Sequence, residues 1–313
     1  MRILFVSANR VGDAVLSTGL LDHLIRTRPA ARFTIVCGPA AEGVFTRMPQ
    51  RERTIVLHKR RFDAHWLELW AWSAARRWDL VVDLRGSALA WMVRARERRV
   101  MRPRPGHKIA QLAAVLGLSD PPAPVAWTAP EDESAADRLL PPAAALIALG
   151  PTANWRPKTW AAERFAALFD MVAPPGAVPL VLGGPGPAER ALAAPLLAAL
   201  PQAVDLVGRL SLPETAAVLR RAALFVGNDS GLMHLAAAAG APTLGLFGPT
   251  PADEYAPVGR RAAALSSEDG TMVNIPVARA AEAAFRLMGR GPAGGNAPTV
   301  SAGAEQQVGD SAK

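Results

Sequence analysis

The chain sets short apolar runs of four or five residues between segments of helical length, and it does so in two successive series. In the first, 3–6 (ILFV), 33–37 (FTIVC), 54–57 and 80–84 read as strands. Helices are expected over 11–28, with Leu16, Leu20, Leu21 and Leu24 on one face, and over 64–77. Strands without polar alternation are buried on both faces, and strands that alternate with helices pair in parallel. Pro-rich stretches at 121–130 and 141–142 bracket an expected linker. The pattern then restarts, with strands at 146–149, 179–182, 204–207, 224–226 and 243–247. Helices are expected there at 161–171, 187–199, 212–221, 231–239 and 277–288. The expectation is an α/β protein of two doubly wound Rossmann-like domains, 1–140 and 141–290, facing a cleft. Ligands in such sheets sit at the carboxyl ends of the strands. Residues 291–313, rich in Gly, Ala and Ser without periodicity, are expected to form a disordered tail.

A length of 313 residues suffices for two separate cores. Half of the residues are hydrophobic, yet charges and helix breakers interrupt every stretch long enough to span a bilayer. The apolar run at the start has only a strand's length, too short for a secretory signal, so a cytoplasmic protein is expected. The single cysteine, Cys37, excludes an internal disulfide framework and a cysteine-based metal cluster. The formal net charge of +8 has local concentrations at Lys59-Arg60-Arg61 and over 94–104. Neither has the interleaved aromatics of a single-strand platform, which argues against nucleic acid as a partner. Two readings of the charge stay open: a solvated surface, or attraction to an anionic acceptor or the anionic inner face of a membrane.

The densest local signal is Phe225-Val226-Gly227-Asn228-Asp229-Ser230-Gly231-Leu232-Met233-His234. A strand enters a tight polar turn, and a helix follows whose first amides lack partners and carry the positive end of its dipole. A diphosphate can dock on such an end, with Gly231 clearing the approach and His234 one turn along. The same residues also suit plain capping by Asp229 or Ser230, with His234 as a core histidine. Asp13, in the turn Gly12-Asp13 after the first strand, can be either a general base or a helix cap.

The wider pattern resembles the glycosyltransferase family of the ADP-heptose:lipopolysaccharide heptosyltransferases, glycosyltransferase family 9. The resemblance rests on Met1-Arg2-Ile3-Leu4 with Gly12-Asp13-Ala14-Val15, and on Asp79-Leu80-Val81-Val82-Asp83-Leu84-Arg85-Gly86. It continues in Leu206-Val207-Gly208-Arg209-Leu210-Ser211-Leu212, the Asp229-Ser230-Gly231 turn with His234, and Leu246-Phe247-Gly248-Pro249-Thr250. These landmarks run in order over about residues 1–290. The region after Tyr255 is short for the family, and the landmarks of the first lobe are thin.

The resemblance implies the two-lobed fold called GT-B, with acceptor held by the first domain and nucleotide-sugar donor by the second. It implies inverting transfer with no metal and no cofactor, and the chain has no Asp-x-Asp element to bridge a metal to a diphosphate. It makes Asp13 the base and Lys158 a phosphate-binding point charge, with Thr152, Asp229, Ser230, Gly231 and His234 around the donor. Glu189, at a helix start, is implied as a ribose contact. Arg60, Arg61, Arg85 and Lys108 are candidates to meet an anionic lipid-linked glycan, an inference from charge and family. Two other readings stay in view: the same fold with a different nucleotide-sugar and acceptor, and a non-catalytic nucleotide-binding protein.

Overall fold

The first lobe is built from β1 (Arg2–Val6), α1 (Val11–Thr27), β2 (Arg32–Cys37), β3 (Arg51–Val56), α2 (Ala64–Ala74), β4 (Arg77–Asp83), α3 (Leu89–Met92), β5 (Arg94–Val100) and α4 (Lys108–Leu116), and α5 (Pro130–Leu139) follows it. The second contains β6 (Leu146–Gly150), α6 (Ala162–Val172), β7 (Val178–Val181), α7 (Pro187–Ala199), β8 (Val204–Asp205), α8 (Leu212–Arg220), β9 (Leu224–Asn228), α9 (Gly231–Ala239), β10 (Thr243–Phe247), α10 (Ala252–Tyr255), β11 (Ala262–Ser266) and α11 (Val277–Leu287). This computed structural model describes residues 1–142 and 145–289, so the expected tail at 291–313 lies outside the described residues.

The strands pair in parallel as two sheets, ordered β3-β2-β1-β4-β5 and β11-β10-β9-β6-β7-β8. In each sheet the strand order reverses once, between β1 and β4 and between β6 and β9. Those two reversal points are where a doubly wound sheet opens a crevice beyond its strand ends. Ile3 to Val6 and Leu224 to Val226 have no exposed surface, which explains why their sequences are apolar without alternation. The residues of α1 and α9 lie in one continuous core with Phe5, Leu80, Leu180 and Phe225, so apolar packing runs from one sheet to the other. No helix among the described residues is long and apolar enough to cross a membrane.

The stretch expected as a linker contains a helix, α5, inside residues 121–142. Pro130 sits in its first turn, where the missing N–H costs nothing, and Glu131, Asp132 and Glu133 favour the positive end of the dipole. Asp132 accepts from the backbone N of Ala129 at 2.8 Å and from Arg47 Nε and Nη2 at 2.8 and 3.0 Å. On its other side α5 meets α8, with Arg221 bound to Glu133 and Asp137, both at 2.6 Å. Helix α5 therefore ties the turn after β2 to the second lobe. The strand β5, RARERRV, lies in the charge concentration at 94–104. It is an edge strand, where charge deters pairing with another chain. Helix α4 and strand β11 carried no expectation either.

Burial alone would raise the Asp132 carboxyl, but the Arg47 fork and the Ala129 amide outweigh it and hold the group below its ordinary value. Replacing Asp132 with Ala removes a helix cap and leaves Arg47 unanswered. We expect a loss of about 1.5–3 kcal/mol in urea unfolding, the usual size for hydrogen bonds to charged groups. An unchanged midpoint would contradict the bridging role of α5.

Candidate active site

The two helices that follow the switch-point strands, α1 and α9, start face to face. A Cβ added at Gly231 would stand 2.8 Å from Val11 Cβ and 3.1 Å from the backbone N of Gly12. One added at Gly12 would stand 3.0 Å from His234 Cδ2. Gly231 is therefore required for the approach of α1, whatever it also does for a ligand. Two positive dipole ends converge in this way, and negative charge is favoured between them.

Two carboxylates stand at this junction. Asp13 lies in the first turn of α1, while the cap position belongs to Arg10 and carries no side-chain hydrogen bond. The capping alternative for Asp13 therefore does not hold. Its side chain is partly exposed, and no hydrogen bond or ion pair engages its carboxylate among the described residues. Asp229 is buried at the end of β9, and its Oδ2 accepts from Lys158 Nζ at 2.6 Å and from Thr250 Oγ1 at 2.9 Å. The capping alternatives for this turn fail as well. Ser230 occupies the cap position of α9 without a side-chain bond, which leaves the first amides of α9 open.

His234, 5% exposed, sits between these groups. Burial pushes its pKa down to about 4; nearby Asp229 opposes that shift, while His107 and Lys158 reinforce it. The ring is therefore neutral near pH 7. Its Nδ1 is buried without a hydrogen-bond partner among the described residues. An unpaired buried polar atom costs free energy, so this nitrogen is an exception among buried polar groups.

The remaining donor candidates lie on the neighbouring strand ends. Thr152, buried just after β6, packs against Gly183, just after β7. Glu189 begins α7 and accepts from the backbone N of Gly184 at 3.0 Å, which fixes the glycine turn. Asn228 is fully buried and braces the site from behind. Its Nδ2 donates to Pro151 O at 2.8 Å, and its Oδ1 accepts from Trp160 N at 3.0 Å. Lys158 lies in the loop between those two anchors, so Asn228 fixes the path that presents it to Asp229.

The four basic candidates of the first lobe sit on three segments of the chain. Arg85 follows β4 at the switch point, its guanidinium 5.3 Å from the Trp66 ring centroid and its Nη2 buried and unpartnered among the described residues. Burial holds its pKa below the ordinary value. Lys108 opens α4 beside His107. Arg60 and Arg61 are exposed after β3, where Arg60 pairs with Glu68 and Arg61 lies over Phe62.

Sequence reasoning missed two groups and the partner of a third. Tyr255, the sole tyrosine, reaches the junction from α10, and its phenol is pushed up first by burial, then by Glu254 and Asp13. His107 accepts from Ile109 N at Nδ1, so Nε2 carries the proton and donates to Ala256 O at 3.0 Å across the lobes. Thr250 belonged to a quoted motif but had no partner assigned. No spacing rule links 107 to 256 or 158 to 229.

Two parallel α/β lobes whose switch-point helices meet define the GT-B class of fold. Solved structures agree: a family 9 glycosyl transferase from Veillonella parvula aligns with TM-score 0.78 at 22% identity over 92% of this chain and 97% of that one. An Escherichia coli ADP-heptose lps heptosyltransferase II aligns with TM-score 0.76 at 19% identity, over 92% and 98%. The model of glycosyltransferase family 9 (heptosyltransferase) matches residues 78–279, and the chain belongs to that family. Among relatives, lipopolysaccharide heptosyltransferase 1 of Pseudomonas aeruginosa is 30% identical over 80% of this chain and 79% of its own length. Lipooligosaccharide heptosyltransferase 2 of Haemophilus influenzae is 28% identical, but the matched stretch spans 42% of this chain and only 39% of that protein.

The lowered His234 pKa has a measurable consequence. The unfolded chain binds the His234 proton below about pH 6.5, whereas the folded chain does so only near 4, so stability falls as pH drops through that window. Going from pH 7 to pH 5, the wild type should lose roughly 1–2 kcal/mol more than His234→Asn in urea unfolding. Parallel pH profiles for the two proteins would show that the ring is not held neutral.

Proposed function

We propose that the protein is an inverting glycosyltransferase that moves a heptose, or a related sugar, from an ADP-sugar to a lipopolysaccharide core or similar anionic lipid-linked glycan. The observation that carries this reading is the meeting of Asp13, with its unengaged carboxylate, and the Lys158–Asp229–His234 group at two abutting helix starts. Residues 1–140 serve as the acceptor unit and 141–290 as the donor unit. The related proteins support the donor class: one solved E. coli heptosyltransferase holds ADP.

In this reading the diphosphate rests against the open amides of α9, at Ser230 and Gly231, and Lys158 turns part of its charge from Asp229 to the phosphates. Thr152 lines the adjoining strand end, Glu189 reaches the ribose with its free oxygen, and His234 Nδ1 accepts a hydrogen bond from the donor. Arg85, Lys108, Arg60 and Arg61 attract the anionic acceptor. The acceptor hydroxyl gives its proton to Asp13 as its oxygen bonds the anomeric carbon. The bond from that carbon to the diphosphate breaks on the opposite face, and ADP departs with its new charge met by Lys158 and the helix. That cationic cradle takes the place a metal ion would have, so the reaction runs without one. An acceptor built on lipid would bring the enzyme into peripheral contact with the anionic inner face of the membrane.

Incubation with ADP-heptose and a truncated core acceptor should release ADP, with or without EDTA. Asp13→Ala should cut turnover by about 10²–10⁴, the usual share of a positioned base, while ADP binding is kept. Lys158→Ala should weaken ADP binding as well as turnover. Full activity in the Asp13 variant, or no ADP release by the wild type with any heptose donor, would overturn the reading.

A further inference from the structure

The net charge of the chain is confined to one region. Residues 51–104 hold fourteen Lys and Arg against six Asp and Glu, which equals the whole formal excess of +8. The same region carries four large apolar side chains in open solvent: Phe62 (94% exposed), Leu67 (64%), Trp91 (66%) and Met92 (56%). Singly such residues mean little, but these four belong to elements that pack side by side. Trp70 Nε1 donates to Met92 O at 3.2 Å, which seats the end of α3 against the middle of α2. The inner faces of α2 and α3 share one cluster through Leu69, Leu89 and Ala90, so Leu67, Trp91 and Met92 are left on the outer side.

Cations border this apolar stripe at both ends. Lys59, Arg60 and Arg61 precede α2 and are exposed. Beyond α3, Arg98 donates to Ala90 O at 2.7 Å and to Val93 O at 2.9 Å, so it leaves β5 on the α3 side. Arg94 and Arg96, which follow Trp91 and Met92 closely in the chain, are both exposed. Phe62 stands on two successive non-glycine residues of positive φ, Phe62 at 51° and Asp63 at 54°.

We propose that the outer face of α2 and α3 is a docking surface for an anionic lipid bilayer, with Phe62, Leu67, Trp91 and Met92 entering the headgroup layer and the flanking cations meeting lipid phosphates. Aromatic and aliphatic side chains ringed by Lys and Arg are the composition of an interfacial anchor, and an acidic leaflet complements the charge. The proposal rests on the peripheral contact named above and assigns it a place. It leaves the cleft free, because none of the residues placed at the junction of α1 and α9 lies on this face.

The test is co-sedimentation with vesicles of phosphatidylglycerol mixed with phosphatidylcholine, beside vesicles of phosphatidylcholine alone. The wild type should bind the anionic vesicles only, with affinity falling as salt rises. The double variant Arg94→Gln, Arg96→Gln should bind about tenfold or more weaker, and with a shallower salt dependence. The double variant Trp91→Ser, Met92→Ser should also bind about tenfold weaker, with loss of the blue shift in tryptophan emission on vesicle addition. Both should release ADP with a soluble acceptor at the wild-type rate. Variants that bind like the wild type would place the contact elsewhere and overturn the proposal. A wild type that ignores anionic vesicles would overturn both the surface and the peripheral contact, while the soluble assay judges the transferase reading by itself. Self-association lost with Trp91→Ser, Met92→Ser and no lipid binding would make the face an interface between copies, which also overturns it.

Discussion

The arrangement depends on how closely two helices can begin. Val11 and Gly12 of α1 lie against Gly231 and His234 of α9 with no room for a further carbon. Because each helix follows the switch-point strand of its own sheet, this contact sets the two crevices against one another. It also brings together two positive dipole ends, an arrangement that favours a negative charge between them. Asp13 and Asp229 supply that charge within the protein, and a diphosphate would supply more. Apolar packing of α1 on α9 keeps the two ends together against their mutual repulsion.

The Lys158–Asp229 pair has a definite meaning in that setting. Asp229 is buried and receives both Lys158 and Thr250 on one oxygen, so the lysine is held beside the start of α9 before any ligand arrives. A charge held in place need not reorganise when negative charge develops, which is the condition for effective electrostatic stabilisation. Burial keeps His234 neutral at the same junction, so its ring adds no further positive charge there. Asp13 differs from Asp229 in having no partner among the described residues. In the proposed transfer Asp13 takes a proton, which suits a carboxylate that, unlike Asp229, is not committed to a cation.

Much of this was legible from residues alone, for identifiable reasons. Buried parallel strands must be continuously apolar, so β1, β2, β6, β9 and β10 were visible. The turn from Asp229 to His234 carried its own helix-start chemistry. Strand β5 was not legible, because an edge strand can be nearly all charge and then looks like surface. Helix α5 was hidden by its own Pro130, which reads as a breaker unless it is recognised as a first-turn residue. The partnership of Lys158 with Asp229 and the bond from His107 to Ala256 span 71 and 149 positions and follow only from the folded topology.

The central claim is that one anion site is shared by the two helix starts, with the base on one side and the cation on the other. A crystal structure with a non-transferable ADP-heptose analogue tests it most directly. The account predicts the diphosphate against the first turn of α9, Lys158 Nζ bonded to a phosphate oxygen, and the anomeric carbon facing the Asp13 carboxylate. A diphosphate bound away from α9, or an anomeric carbon turned from Asp13 with the lobes in contact, would contradict it.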